Sequence, residues 1–255
     1  MDKLFLTALL MGMSVSGIHA QNATIEPTFT EWHDLQVNAV NRFATHTDFF
    51  AFAPFENLRG TKFDMKKSAN YLSLDGDWKF NWVENADQRP TDFFRTDFDD
   101  SQWKTFPVPG IWEVNGYGDP VYVNIGFAWR GNFKNNPPEV PIKENHVGSY
   151  RRTIRIPDNW DGKQVIAHFG SVTSCVYLWV NGKFVGYSED SKIGPEFDVT
   201  KFLKKGDNQI AFQVFRWSDG SYCEDQDFWR LSGVARESYL YARDAKQHLK
   251  DIRIT

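Results

Sequence analysis

Cysteine is scarce in this 255-residue sequence, which has two, and neither belongs to a Cys-x-x-Cys pair or a cluster with histidine. This scarcity argues against a structural zinc site, which takes four closely grouped Cys or His ligands. Cys175 and Cys223 are compatible with one disulfide or with two free thiols. Two free thiols is the simpler prediction for a large β-domain.

The sequence also has no excess of basic charge, because its 29 Lys and Arg residues are outnumbered by 33 Asp and Glu residues. The formal net charge is −4. A negative chain without a basic stripe is repelled by phosphate backbones, so nucleic acid is not an expected partner. After the first twenty residues no apolar run approaches the length that a transmembrane helix needs.

The first twenty residues have the three parts of a secretory signal peptide. Lys3 is followed by an apolar run over residues 4–15 and by small residues that end at Ala20. This order is typical of a segment that directs export and is then removed. The pattern predicts a secreted or periplasmic protein, and we leave residues 1–20 out of the fold.

The common signatures of catalysis are absent, including the HExxH zinc motif, the P-loop and the dinucleotide fingerprint. Residues 186–190 lack the second glycine of a nucleophile elbow. Aromatic residues, in contrast, are plentiful, with 10 Trp, 9 Tyr and 22 Phe. Rings suit the half-buried surface of a β-sheet, and they also suit a surface that handles the flat apolar faces of sugars.

Short alternating segments separated by turn signals begin at Tyr71 and predict an antiparallel sandwich. Asn181 and Gly182 mark the clearest hairpin, because both central residues of a type I′ turn need positive φ. Residues 21–70 show no clean period and are predicted to form an irregular arm, whose Phe-rich stretch at 49–55 should pack on the body or on a partner subunit. The predicted strands cover residues 72–80, 149–156, 164–169, 176–180, 183–187, 209–217, 237–242 and the start of another at 252–254.

Two segments carry residues suited to chemistry. Residues 216–230 hold four carboxylates among several aromatics. They could contact sugar hydroxyls, bind a cation, supply the paired acids of a glycosidase, or form a solvated polar loop. Residues 119–127 contain Asn124, whose amide offers both a donor and an acceptor to a hydroxyl but is also common in turns.

The ordered motifs resemble the amino-terminal region of the large bacterial β-galactosidases of glycoside hydrolase family 2. The similarity runs from Val37 to Thr255 and is most specific at residues 216–233. The motifs that carry it, in chain order, are residues 37–42 with His46, 74–80, 108–112, 116–117, 122–124, 136–138, 140–141, Asn145, 148–150, 169–191 and 216–233.

The resemblance implies an all-β fold, a jelly-roll β-sandwich like the galactose-binding domains, at residues 71–245. The irregular arm would occupy residues 21–70, and residues 246–255 would begin an immunoglobulin-like domain that is cut off. In the family a TIM barrel follows and carries the two catalytic glutamates, so no catalytic residue is expected in this chain, which would be inactive alone.

For the site, the resemblance implies that Asn124 reaches the galactosyl subsite. Asp219 would contact the sugar and help to hold a sodium ion with ligands from the barrel, and magnesium is possible in the barrel itself. This chain alone is expected to need no cofactor. The supporting residues would be Trp217, Gln226, Asp227 and Trp229.

The expected partners are a β-galactoside, the downstream domains and, through the arm, a second copy of the chain. Two other functions stay open at this point. A free-standing carbohydrate-binding module would suit the aromatic content, and a structural or assembly module would suit the Phe-rich arm.

Overall fold

The computed structural model describes residues 26–54, 56–129, 131–224 and 226–254. The predicted signal peptide at residues 1–20 lies outside the described residues, as do Phe55 of the arm and Asp225 of the acidic segment, the name used below for residues 216–230. In the described ranges no helix has both the length and the apolar character to cross a membrane.

Two antiparallel sheets pack face to face, and the prediction of an all-β jelly-roll sandwich is confirmed. The described residues contain strands β1 to β16: Ala39–Val40, Tyr71–Ser73, Gly76–Val83, Lys104–Val108, Gly110–Ile111, Val121–Val123, Val147–Ile156, Gln164–Phe169, Val172–Thr173, Cys175–Val180, Lys183–Glu189, Glu196–Asp198, Gly206–Phe215, Phe228–Arg230, Gly233–Val234 and Ser238–Arg243. The helices are short 3₁₀ turns at Glu31–His33, Met65–Lys67, Ala86–Gln88, Glu113–Asn115, Asp158–Trp160, Thr200–Phe202 and Asp219–Tyr222.

The larger sheet has seven strands in the order β1-β11-β10-β13-β7-β3-β4, and the smaller has four in the order β12-β8-β16-β2. Two small sheets, β14-β6 and β5-β15-β9, lie beside them. A central core fills the space between the two main sheets, with side chains such as Val176, Leu178, Phe212 and Leu240 fully buried. The apolar residues that alternate along these strands therefore face the partner sheet.

Strand β10 is buried on both faces, because a second core covers the other side of the seven-stranded sheet. Val176 and Leu178 belong to the central core, whereas Tyr177 and Trp179 belong to the second core. A strand of this kind reads as a continuous apolar run rather than an alternating one. The second core takes its outer layer from the arm, including Trp32, and from long loops.

The Asn181–Gly182 hairpin between β10 and β11 is confirmed, with φ of 52° and 78° at the two turn residues. Asp75 and Gly76 have a different role, since the chain passes there from the four-stranded sheet into the seven-stranded sheet. Residues 252–254 form no strand with the described part of the chain, so the strand predicted there, as the start of a following domain, stays a prediction.

Both cysteines are free, so the prediction of two free thiols is confirmed. Cys175 is buried in the second core, and Cys223 is exposed in the loop after the last 3₁₀ turn. Burial raises the pKa of the Cys175 thiol well above its ordinary value, so this thiol stays protonated and unreactive.

The arm adds a strand to the seven-stranded sheet. Strand β1 pairs antiparallel with the end of β11. Asn41 Nδ2 donates to the Val185 carbonyl at 2.8 Å, and Arg42 Nη1 donates to the Glu189 carbonyl at 3.0 Å. The next part of the arm crosses the outer face of the four-stranded sheet, where the Phe50 ring lies 6.3 Å from both Tyr71 and Tyr241. The described part of the arm thus packs on its own chain.

A cluster of titratable groups holds the arm where it crosses that face. The Glu196 carboxylate lies 3.0 Å from His46 Nε2 and 3.0 Å from His168 Nδ1, and Tyr241 donates to it at 2.9 Å. The pKa of His46 is raised above its ordinary value. Burial lowers this pKa, but the Thr47 carbonyl and the carboxylate of Glu196 raise it by more. Burial likewise opposes the lowered pKa of Glu196, which the hydrogen bonds from the histidines and Tyr241 produce.

These opposite shifts predict a pH window for arm docking. The contribution of Glu196 is present above its ordinary pKa of 4.5 and is lost as the pH falls through the lower folded value. The contribution of His46, beside which Asp251 adds a second negative charge, is present below 6.5 and is lost as the pH rises through the higher folded value. Docking should be strongest between pH 4.5 and 6.5.

Hydrogen exchange of the amides in residues 39–48, corrected for intrinsic rates, measures this window. We expect protection to fall roughly tenfold by pH 8.5, because a charge-assisted hydrogen bond is worth about 1.5–3 kcal/mol. Glu196→Gln should flatten the profile, whereas His33→Gln, also in the arm, should leave it unchanged. A flat profile in the unmodified chain would contradict the prediction.

Candidate functional site

The acidic segment begins where strand β13 ends, and its first residues are fixed from two sides. Asn145 Oδ1 accepts from the Trp217 amide at 2.8 Å, and Asn145 Nδ2 donates to the Trp217 carbonyl at 3.1 Å. The Ser218 amide donates to Ser221 Oγ at 3.1 Å. These contacts force a 3₁₀ turn whose first residue is Asp219. The turn leaves only 4% of Asp219 exposed.

Asp219 faces a second carboxyl group, that of Glu189 at the end of β11. Burial, followed by the hydrogen bond with Asp219 and its negative charge, raises the pKa of Glu189 well above its usual range. Tyr187 donates to Glu189 Oε1 at 2.5 Å. Asp219 Oδ1 is buried, and no donor in the described ranges reaches it. Asp219 Oδ1 therefore has hydrogen-bonding capacity that the described residues do not use.

A cleft of about 410 Å³ opens beside this pair. One wall is the 3₁₀ turn with Asp219 and Gly220, and the other is the arm with Asp34 and Asn38. Glu189 lies between them, and the Asn38 carbonyl accepts from its amide at 3.0 Å. The arm thus forms part of the surroundings of Asp219.

Trp217 is a packed residue rather than a surface residue. Its ring meets that of Trp129 edge-on at 5.5 Å, and the Arg216 guanidinium lies 4.9 Å from its centroid. Arg216 Nη2 also donates at 2.9 Å to the carbonyl of Asp119, just before strand β6. One side chain therefore connects the acidic segment to the segment that carries Asn124.

Strands β6 and β14 form a two-stranded sheet on which Asn124 and the end of the acidic segment meet. Trp229 pairs with Tyr122, and Phe228 pairs with Val123. The alternation of a strand places Tyr122 and Trp229 on the outer face, where both are exposed, and Val123 on the inner face, where it is buried. Asn124 follows β6 directly and is exposed.

The structure therefore groups the predicted site residues in two places. Asn124, Asp227 and Trp229 lie around the small sheet, whereas Asp219 lies in the cleft beside the arm with Trp217 packed behind it. No hydrogen bond joins Asn124 to Asp219 in the parts of the chain that the structure describes. Gln226 is exposed, and its carbonyl accepts from the Phe228 amide at 2.9 Å.

Sequence reasoning missed Glu189 and the groups around Arg216. Arg216 Nη1 lies 3.1 Å from His146 Nδ1. Burial and then the charge of Arg216 lower the pKa of His146 to about 4. Burial raises the pKa of Glu113, whose Oε2 accepts from the Ser232 amide at 2.8 Å. In the sequence, Glu189 could have been noticed as a carboxylate at the end of a strand. Nothing in the sequence marked His146.

The donor set for a cation is partial. Among the described residues no group of three or more His, Cys, Asp or Glu side chains is arranged to hold a metal ion. The unused, buried Oδ1 of Asp219 fits one ligand of a hard cation whose remaining oxygen ligands come from elsewhere.

Residues 71–244 match the family model described as "Glycosyl hydrolases family 2, sugar binding domain". The β-galactosidase of Priestia megaterium is 40% identical over 227 residues, which cover 89% of this chain and 22% of that protein. The β-galactosidase of Lactobacillus delbrueckii subsp. bulgaricus is 41% identical over 222 residues, or 87% of this chain and 21% of that protein. The chain thus spans about a fifth of the length of these relatives.

Among solved structures, a Bacteroides uniformis β-glucuronidase superposes with a TM-score of 0.50 and 22% sequence identity. The match covers 68% of this chain and 18% of that one. At this identity the likeness concerns the fold alone, and it agrees with the sandwich described above.

Proposed function

This chain belongs to glycoside hydrolase family 2 and carries the sugar-binding domain of that family, and from this premise we propose that it serves a β-galactosidase. The enzyme would hydrolyse terminal non-reducing β-D-galactosides with retention of configuration. The observation that carries the proposal is the identity of about 40% to curated β-galactosidases over almost nine-tenths of the chain. Several of the solved structures of similar fold are β-glucuronidases, so β-glucuronides are the competing substrate class.

In this proposal two residues contact the substrate. Asn124, exposed at the end of β6, would bind a hydroxyl of the galactosyl unit. Asp219 would use its unused Oδ1 for the sugar and for a share of a sodium site completed by another domain. Trp217 and residues 226–229 would fix the two segments. The buried carboxylate oxygen without a donor supports the role of Asp219.

The two catalytic glutamates would belong to a barrel domain beyond this chain. A retaining glycosidase needs two carboxyl groups about 5–5.5 Å apart, one as nucleophile and one as acid and base. Asp219 and Glu189 do not suit these roles, because their carboxyl groups share a hydrogen bond and so lie closer than this separation, and because Glu189 is held by Tyr187. This chain alone should therefore be inactive.

Hydrolysis of a nitrophenyl β-galactoside and a nitrophenyl β-glucuronide tests the proposal. Both substrates are offered to this chain and to a full-length enzyme that carries it. Activity on the galactoside in the full-length enzyme alone is the expected result. Activity on the glucuronide alone would replace the substrate class, and activity in this chain would place the acids within it.

We further propose export, from the signal-like residues 1–20, and self-association through the arm. Fractionation of expressing cells tests the first. Sedimentation of the full-length enzyme with and without residues 26–54 tests the second. The same number of subunits in both assemblies would contradict it.

A further inference from the structure

Two aromatic rings on the outer face of the β6–β14 sheet lie next to two exposed polar residues at one end of the sheet. Tyr122 and Trp229 are directly opposed and are 52% and 53% exposed. Their rings meet edge-on at 5.6 Å. Asn124 follows β6 and Asp227 precedes β14, each two positions from one of the rings, and both are exposed.

The arrangement is held before any ligand arrives. The Tyr122 hydroxyl donates a short hydrogen bond to Asp227 Oδ1, so the phenol ring and the carboxylate are fixed relative to each other. The alternate side chains of the two strands point inward, with Val123 and Arg230 buried. The rings are therefore displayed on a supported surface rather than on a loose loop.

Two displayed rings beside an amide and a carboxylate match the two kinds of surface that a hexose offers. The apolar C–H face of the sugar ring packs on an aromatic face, and such contacts bury a large area at little entropic cost. The hydroxyls at the rim of the sugar accept from or donate to Asn and Asp side chains. An apolar peptide segment would leave the carboxylate and the amide without partners.

We propose that Tyr122 and Trp229 form a stacking surface for the sugar unit on the leaving-group side of the scissile bond. Asn124 marks the boundary with the galactosyl unit, and Asp227 binds a hydroxyl of the second sugar. The inference rests on the proposed function, because it takes a β-galactosyl disaccharide as the substrate. It makes Tyr122 a substrate contact and gives Trp229 a direct contact with sugar instead of a supporting role.

Kinetics of the full-length enzyme on two substrates test this surface. Lactose places a hexose on the leaving-group side, whereas methyl β-D-galactoside places one methyl group there. In Trp229→Ala and in Tyr122→Ala, kcat/KM for lactose should fall roughly 3- to 10-fold more than kcat/KM for the methyl galactoside, from the usual worth of one aromatic contact. Trp229→Phe should restore most of the difference. Phe63→Ala, which removes a ring 64% exposed in the arm, should not change the ratio.

Equal losses on both substrates, together with a lower Tm, would assign the two rings to packing against another domain and would overturn the inference. An unchanged substrate ratio would also overturn it. If the unmodified enzyme hydrolyses neither galactoside, the proposed function fails instead. A saturable change in the fluorescence of this chain with lactose, lost in Trp229→Ala and kept in Phe63→Ala, would then still support the sugar surface.

Discussion

Asp219→Ala is expected to lower turnover of a β-galactoside by the full-length enzyme about 100-fold or more. A hydrogen bond to a charged group is worth roughly 1.5–3 kcal/mol, and the proposed role gives Asp219 contacts to both the sugar and a cation. The free energy of unfolding should change little. The substitution removes one of two facing buried carboxyl groups, so the loss of its hydrogen bond with Glu189 is offset by relief of their mutual repulsion.

Turnover under saturating nitrophenyl β-galactoside and the midpoint of urea unfolding should be measured on the same preparations. Asp207→Ala is the matched control, because Asp207 is an exposed carboxylate at the start of β13, 3.6 Å from Arg155. Full activity in Asp219→Ala would remove Asp219 from the site. A parallel collapse of stability would show that Asp219 holds the 3₁₀ turn instead of contacting substrate.

Trp179→Ala is expected to destabilise the domain by about 3–5 kcal/mol, the usual cost of truncating a large buried aromatic. Trp179 is 1% exposed. The Phe94 ring stacks on it at 5.0 Å and Phe93 meets it edge-on at 5.3 Å. Both phenylalanines come from the loop between β3 and β4, so the cavity would also loosen the layer that covers the second core.

Guanidinium unfolding of this chain measures the effect, with Trp229→Ala as the matched control. Trp229 is the same residue type but is 53% exposed, so its truncation should shift the midpoint only slightly. Equal shifts for the two variants would mean that the second core contributes little to stability. A shift for Trp229→Ala alone would reverse our assignment of the packed and displayed tryptophans.

Local patterns predicted the elements that depend on local chemistry. The Asn181–Gly182 turn was predictable because few residue pairs accept positive φ twice in succession. The strand at 149–156 was predictable from its alternation. The all-β sandwich followed from several such segments with turn signals between them.

Other features depend on partners that are distant in sequence. The alternation around Asp75 and Gly76 gave no indication that β2 and β3 belong to different sheets. Glu189 becomes unusual only because the turn at Asp219 is folded against it, 30 positions later in the chain. Asn124 and Asp219 were predicted to contact one substrate, but the surroundings of each depend on pairings that the local sequence does not specify, such as that of β6 with β14.

The pairing of the arm with β11 has a consequence for solubility. Strand β11 is almost wholly buried, and at the margin of a sheet such a strand is a template for intermolecular pairing and aggregation. Strand β1 pairs with two residues of β11 at that margin. On either side of them, the side chains of Asn41 and Arg42 donate hydrogen bonds to carbonyl groups of β11. The arm therefore covers the edge of the sheet, so that newly made chains cannot pair with each other there. This role is separate from any part the arm has in binding sugar.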